Sequence, residues 1–146
     1  MIHVRPYQPE DLIVMTELMK DLGYPTTEEQ MRNRMSVIET LSGTFTFLAD
    51  LNGKAVGMMG IRHVYSYEED GFVIQISLLV TKKEYEGQGI GKALVSFAES
   101  WAVAQDAEIL YLTSGIKPER ERAHAFYKAI GFEATGYRFV KRLTIQ

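Results

Sequence analysis

The run Phe72-Val73-Ile74-Gln75-Ile76-Ser77-Leu78-Leu79-Val80 and the loop Glu86-Gly87-Gln88-Gly89-Ile90-Gly91-Lys92-Ala93 downstream of it decide the fold. The first is aliphatic and β-branched, with neither Gly nor Pro, and reads as a long, largely buried strand. After the loop, Ile90, Ala93, Leu94, Phe97, Ala98 and Trp101 recur at i, i+3, i+4, i+7, i+8 and i+11, the apolar stripe of a helix facing a core. Strand, glycine loop and helix therefore follow in direct succession. Three glycines at alternate positions leave the loop backbone uncovered and free to take positive φ. Its N–H groups can then converge on one point beside the positive end of the helix dipole, a cradle suited to a diphosphate.

Two better-known phosphate loops do not match. A dinucleotide fingerprint that starts at Gly87 and Gly89 needs a third glycine where Lys92 stands, and one that starts at Gly89 and Gly91 needs it at Leu94. A Walker loop needs four residues between its glycines and Ser or Thr after the lysine, whereas Gly87 and Gly91 enclose three and Ala93 follows Lys92. A glycine-rich turn without a ligand is the bland alternative.

Upstream of this unit, Ile2–Arg5 reads as a short strand ended by Pro6 and Pro9. Leu12, Met15, Leu18, Met19 and Leu22 then mark a helix that Gly23 and Pro25 stop. A second helix is expected to start near Thr26, with Glu29 completing a capping box, and to carry the stripe Met31, Met35, Ile38 and Leu41. Asn52-Gly53 between the β-rich runs 44–49 and 55–61 signals a hairpin, and the polar stretch 66–71 a turn. Downstream, a strand at 109–113 and a helix from about Pro118 to Ile130, closed by Gly131, precede an expected antiparallel pair at 132–135 and 137–143. The order predicts an α/β fold of α+β type, a mixed sheet with helices on both faces.

The 146 residues fit one domain, 1–146, with 46% hydrophobic and 24% charged residues. Cysteine is absent, which excludes disulfides, thiolate metal sites and a cysteine nucleophile. The histidines His3, His63 and His124 are scattered, so no metal is expected. Sixteen Lys and Arg against 19 Asp and Glu give a charge of −3, unlike the basic footprint of a nucleic-acid binder. With no apolar signal core and no membrane-length apolar run, the chain reads as a cytoplasmic protein with no membrane partner.

The segments Leu79-Val80-Thr81 and Tyr85-Glu86-Gly87-Gln88-Gly89-Ile90-Gly91-Lys92-Ala93-Leu94 resemble the acetyl-CoA signature of the GNAT superfamily of N-acetyltransferases. Ala123-His124-Ala125-Phe126-Tyr127-Lys128-Ala129-Ile130-Gly131-Phe132 is similar to that family's second conserved segment, and the element order matches over essentially the whole chain. Ser114-Gly115, Arg120, Ala123-His124, Phe126-Tyr127 and Tyr137-Arg138-Phe139-Val140-Lys141 resemble a smaller group that includes aminoalkylphosphonate N-acetyltransferases.

The resemblance implies a mostly antiparallel sheet of about seven strands, splayed between the 72–80 and 109–113 strands, with about four helices. It implies acetyl-CoA as co-substrate. The pantetheine arm would pair with the backbone of Leu79 and Thr81, an N–H near Leu79 or Val80 would polarise the thioester carbonyl, and the diphosphate would lie on the amides from Gln88 to Lys92. Glu86, Gly87, Gln88, Gly89, Ile90, Gly91 and Lys92 thus form the cofactor loop, with Arg120 and Tyr127 as further contacts. Tyr127 matches the family's tyrosine that protonates the leaving sulfur.

Two departures stand out. Where many relatives have a glutamate base, this chain has Gln75-Ile76-Ser77-Leu78. Glu68, Glu69, Asp70 and His63 are alternative bases, with a solvated turn and a strand-end histidine as the plainer readings. Glu86 stands where Arg or Gln is usual, leaving positive charge to Lys92, Lys82 or Lys83. The expected activity is acetyl transfer to a primary amine of a small molecule. A catalytically inactive acyl-CoA-binding module and a protein or peptide N-acetyltransferase are the alternatives, and a homodimer through the C-terminal strands is compatible with each.

Overall fold

A computed structural model describes residues 1–144. It divides into two compact units, Met1–Leu112 and Thr113–Gln146. The first holds β1 (Ile2–Pro6), α1 (Leu12–Leu22), α2 (Glu28–Ile38), β2 (Thr44–Leu51), β3 (Lys54–Val64), β4 (Val73–Thr81), α3 (Ile90–Ala104) and β5 (Leu110–Leu112). The second holds α4 (Glu121–Ala129), preceded by a 3-10 turn at Pro118–Arg120.

The sheet has five strands in the order β1-β2-β3-β4-β5. The first three pairings are antiparallel and β4–β5 is parallel, so the sheet is mixed and mostly antiparallel as expected. Seven strands are not formed. Residues 132–135 and 137–143 carry no strand among the described residues, and Tyr137, Phe139, Val140 and Leu143 are exposed. Lys141 breaks the face that Tyr137, Phe139 and Leu143 would share by alternation, and Arg138 and Arg142 make the other face polar, so neither face is continuously apolar.

Within the first unit, helices cover both faces of the sheet. Leu12, Met15 and Leu18 of α1 and Met31 and Met35 of α2 pack with Leu48, Met58 and Val80 on one face. On the other, Phe97 of α3 meets Phe47 at a ring separation of 4.7 Å, and Trp101 meets Phe45 at 4.9 Å. Two local expectations shift. The α2 capping box is Thr27 with Gln30, because the Gln30 side chain accepts from both the Thr27 N–H and the Thr26 hydroxyl. The helix ends at Ile38, which leaves Leu41 outside it and exposed.

Candidate active site

The site begins with a phase change in β4. Gly60 pairs with Leu78 but Ile61 pairs with Ile76, so Ser77 is an extra residue, a β-bulge. Before it, the Ile74 N–H donates to Ile109 O at 3.0 Å, so the peptide groups of Ile74 and Ile76 face β5. After it, the Lys82 N–H donates to Val56 O at 2.8 Å. Because peptide groups alternate along a strand, those of Leu78 and Val80 then face β3, and those of Leu79 and Thr81 face the opposite edge. The β4–β5 ladder runs only through Ile74, Ile76 and their partners Leu110 and Leu112. Leu79 and Thr81 therefore present donors and acceptors on an edge beyond the end of that ladder. Val80, buried in the α1–α2 core, anchors this edge with its side chain while its own N–H is turned to β3.

The glycine loop stands at the end of the same strand. Gly87 and Gly89 adopt φ of +82° and +84°, the left-handed region that glycine enters without strain, and Gly91 is already helical. Gly89 is the N-cap of α3 and no side chain caps the helix, so the first-turn amides, those of Ile90, Gly91 and Lys92 among them, have no intrahelical partner. A Cβ on Gly87 or Gly89 would meet nothing within 4 Å, so the space above the loop is open. Below it the fit is tight. Ile90 is buried against Gly57 of β3, where a Cβ would lie 2.8 Å from Ile90 Cγ2 and 3.2 Å from Val80 O. Gly57 thus sets the height at which the α3 N-terminus rides over the sheet.

Charges around the loop divide unevenly. Lys82 Nζ lies 3.7 Å from Glu17 and 3.9 Å from Glu84, and the Lys83 N–H donates to Asp21 at 3.1 Å. The Lys82 charge is therefore met by carboxylates. Lys92 and Glu86 are exposed.

In the second unit, Arg120 reaches Ser114 Oγ through Nε and Nη2, each at 3.4 Å, and its charge acts on Tyr127. Burial pushes the Tyr127 hydroxyl above its ordinary value, and Arg120 offsets this only in part. Tyr127 is thus a neutral donor at physiological pH. Its ring lies 5.6 Å from Phe126 and 6.0 Å from Phe132. Phe126 is half-buried. His124 Nε2 contacts Gly115 O at 2.7 Å and so ties α4 to the loop before it.

The candidate bases separate. Glu68, Glu69 and Asp70 lie exposed in the β3–β4 turn. His63 sits among Phe72, Phe45 and Trp101, with ring separations of 4.3, 5.6 and 5.7 Å, and its Nε2 is buried without a hydrogen-bond partner. This aromatic box is on the α3 face of the sheet, opposite Gln75. Gln75 is buried and accepts from Arg62 Nε at 2.7 Å. Arg62 and Tyr111, the register partners of Gln75 on its two sides, were not legible as site residues. The signal in the chain is a lone arginine closing the apolar run Met58-Met59-Gly60-Ile61.

The sequence matches the acetyltransferase (GNAT) family over residues 12–132, and the chain belongs to that family. It is 34% identical over 96 residues to the aminoalkylphosphonate N-acetyltransferase of Salmonella typhimurium, a match spanning 66% of this chain and 61% of that relative. It is 24% identical over 135 residues to an aminoglycoside N(6')-acetyltransferase type 1 of Stenotrophomonas maltophilia, covering 90% and 86% of the two chains. A GNAT family acetyltransferase structure from Staphylococcus aureus superposes with a TM-score of 0.82 at 25% identity, over 97% of this chain and 98% of that one. No helix among the described residues is long and apolar enough to cross a membrane.

Proposed function

We propose that this chain transfers an acetyl group from acetyl-CoA to a primary amine of a small molecule, directly within a ternary complex. The observation that carries the reading is the conjunction, on one strand–loop–helix unit, of the outward-facing edge at Leu79 and Thr81 with the left-handed glycines at the uncapped start of α3. Acetyl-CoA supplies the activated thioester.

Leu79 and Thr81 pair with the pantetheine amides as an added strand would. The Leu79 N–H holds the thioester oxygen, a donor placed where negative charge develops. Amides from Gln88 to Lys92 hold the diphosphate, with Ile90 fixing the loop and Lys92 adding charge. Glu86 opens the loop from the solvent side. Tyr127 gives its hydroxyl proton to the departing sulfur, a step that suits a phenol kept neutral by burial. Arg120 steadies that hydroxyl. The amine must arrive unprotonated, since its lone pair forms the new C–N bond as the C–S bond breaks; the proton that the nitrogen then sheds passes to solvent and balances the one that Tyr127 gives to sulfur and regains.

The family match crosses from one compact unit into the other, which supports a single catalytic domain over 1–146. The exposed Tyr137, Phe139, Val140 and Leu143 support a homodimer contact there, and reliance on acetyl-CoA favours a cytoplasmic setting.

A thiol-release assay with acetyl-CoA and a panel of small amines and peptides tests the proposal. Turnover on small amines supports it. Turnover confined to peptides supports a protein acetyltransferase, and acetyl-CoA binding without turnover on anything supports an inactive acyl-CoA module.

A further inference from the structure

We propose that Arg62, held in place by Gln75, binds the acidic group of an acceptor that carries both an amine and an anion. This rests on the acetyltransferase reading and narrows its substrate class. The sheet register places Thr44 opposite Arg62, Arg62 opposite Gln75 and Gln75 opposite Tyr111. These four residues form one polar row across β2, β3, β4 and β5. Arg62 and Met58 have the same parity in β3, so the row lies on the face that α1 and α2 cover elsewhere. At its β2 end, through Thr44 alone, the row adjoins an open cleft of about 250 Å³ lined by Pro6, Tyr7, Ile38, Glu39 and residues 44–47. Ser77, exposed at the bulge, is on the same face, since its Oγ lies 2.8 Å from where a Cβ on Gly60 would be.

Two arginines of this sheet differ in a way that bears on function. Arg5 donates to Asp11 and Asp50 at 2.7–3.2 Å, so its charge is consumed within the fold. Arg62 is exposed, and among the described residues its partner is the neutral amide oxygen of Gln75, which is 8% exposed. That bond uses Nε, and the two Nη groups, the fork that pairs with carboxylate, sulfonate or phosphonate, have no side-chain partner among the described residues. A buried glutamine that aims a guanidinium and leaves its charge uncompensated is the arrangement that recognition of an anion needs.

Spacing limits the ligand. The Arg62–Gln75 pair and the Gly60–Leu78 pair are two residues apart along β3, about 7 Å at the usual strand rise. An anion on Arg62 and an amine at the Leu79 edge therefore call for a small acceptor that carries the two groups a short chain apart. A polycationic amine would meet repulsion at the same position.

The test measures kcat and KM at saturating acetyl-CoA for 3-aminopropanoate, 2-aminoethanesulfonate and 2-aminoethylphosphonate, beside propylamine, ethanolamine and 1,3-diaminopropane. Wild type is expected to favour the acidic amines. The arm with the lowest KM identifies which acid is read. Arg62→Gln is expected to raise KM for the acidic amines about ten- to a hundredfold, the loss of a charged hydrogen bond, with kcat and the neutral amines little changed. Arg62→Lys restores part of the affinity. Gln75→Leu raises the same KM and adds nothing in the Arg62→Gln background, as a positioning residue should. Equal losses on acidic and neutral amines, or a preference for the diamine, overturn this inference alone. Turnover on no amine overturns the acetyltransferase reading and this inference with it.

Discussion

Replacing Gly89 by alanine separates the loop's conformational role from its binding role, because Gly53 in the β2–β3 hairpin is a matched control. The two glycines have φ of +84° and +85°, and a Cβ on either meets nothing within 4 Å. Steric crowding is therefore absent from both, and only backbone strain remains. An L-residue in the left-handed region costs about 1–2 kcal/mol. The alanine's reduced freedom in the unfolded chain returns about 0.4–1 kcal/mol, so each variant should lose roughly 1 kcal/mol. In a domain of this size that lowers Tm by about 3 °C, and differential scanning fluorimetry should find the two variants alike.

Titration calorimetry with acetyl-CoA should then tell them apart. At position 89 the methyl group stands in the open space where phosphate must approach the amides of Ile90 and its neighbours. Loss of one hydrogen bond to a charged group is worth about 1.5–3 kcal/mol, which is about ten- to 150-fold in Kd. Gly53→Ala should bind as wild type does. Equal affinity in all three proteins would refute the placement of the diphosphate on this loop.

Further outcomes follow from the same geometry. Tyr127→Phe should fold normally and lose about 10²–10⁴-fold in kcat. Because burial raises the Tyr127 pKa, wild-type kcat should show no fall attributable to this phenol until pH passes above its ordinary value of about 10. Gly57→Ala would put a Cβ 2.8 Å from Ile90 Cγ2 and 3.3 Å from Leu94 Cδ1; overpacking costs about 1–3 kcal/mol, so thermal melts should fall and acetyl-CoA binding weaken as α3 lifts. Asp11→Asn should cost about 2–3 kcal/mol in urea titrations, for it strips Arg5 and the Gln8 N–H of a charged acceptor. Burial pushes the Asp11 carboxyl up, but the Arg5 and Gln8 hydrogen bonds and the Arg5 charge outweigh it and hold the pKa below the ordinary range; that stabilisation is complete above the ordinary aspartate value and is lost as pH falls through the lowered one, and the variant should lack this acid dependence. Glu86→Arg should leave acetyl-CoA affinity unchanged or tighten it, and a large loss contradicts the solvent-side placement of Glu86.

The parts of the fold set by local chemistry could be read from the chain. The Ile90 stripe, the Asn52-Gly53 turn and the aliphatic run of β4 each encode their conformation within a few residues. The α2 cap moved from Thr26 to Thr27 because both threonines can serve, and the Gln30 side chain, not the Glu29 carboxylate, decides between them. Residues 132–143 misled because Tyr137, Phe139 and Leu143 alternate with Arg138 and Arg142 as a strand would, whereas Lys141 breaks the apolar face. The bulge at Ser77 and the Arg62–Gln75 pair were illegible for a different reason. Both exist only once β3 and β4 are set in register, and Arg62 and Gln75 are 13 residues apart in sequence. His63 is a residue type suited to a base but lies on the α3 face among aromatic rings, a placement fixed by strand parity and not by its neighbours in the chain.

Amide hydrogen exchange with and without saturating acetyl-CoA tests the central claim most directly. The cofactor should slow exchange at Leu79 and Thr81 and across residues 88–92, with no change at the Asn52-Gly53 turn. Bound acetyl-CoA that leaves both the β4 edge and the glycine loop unprotected would contradict the account.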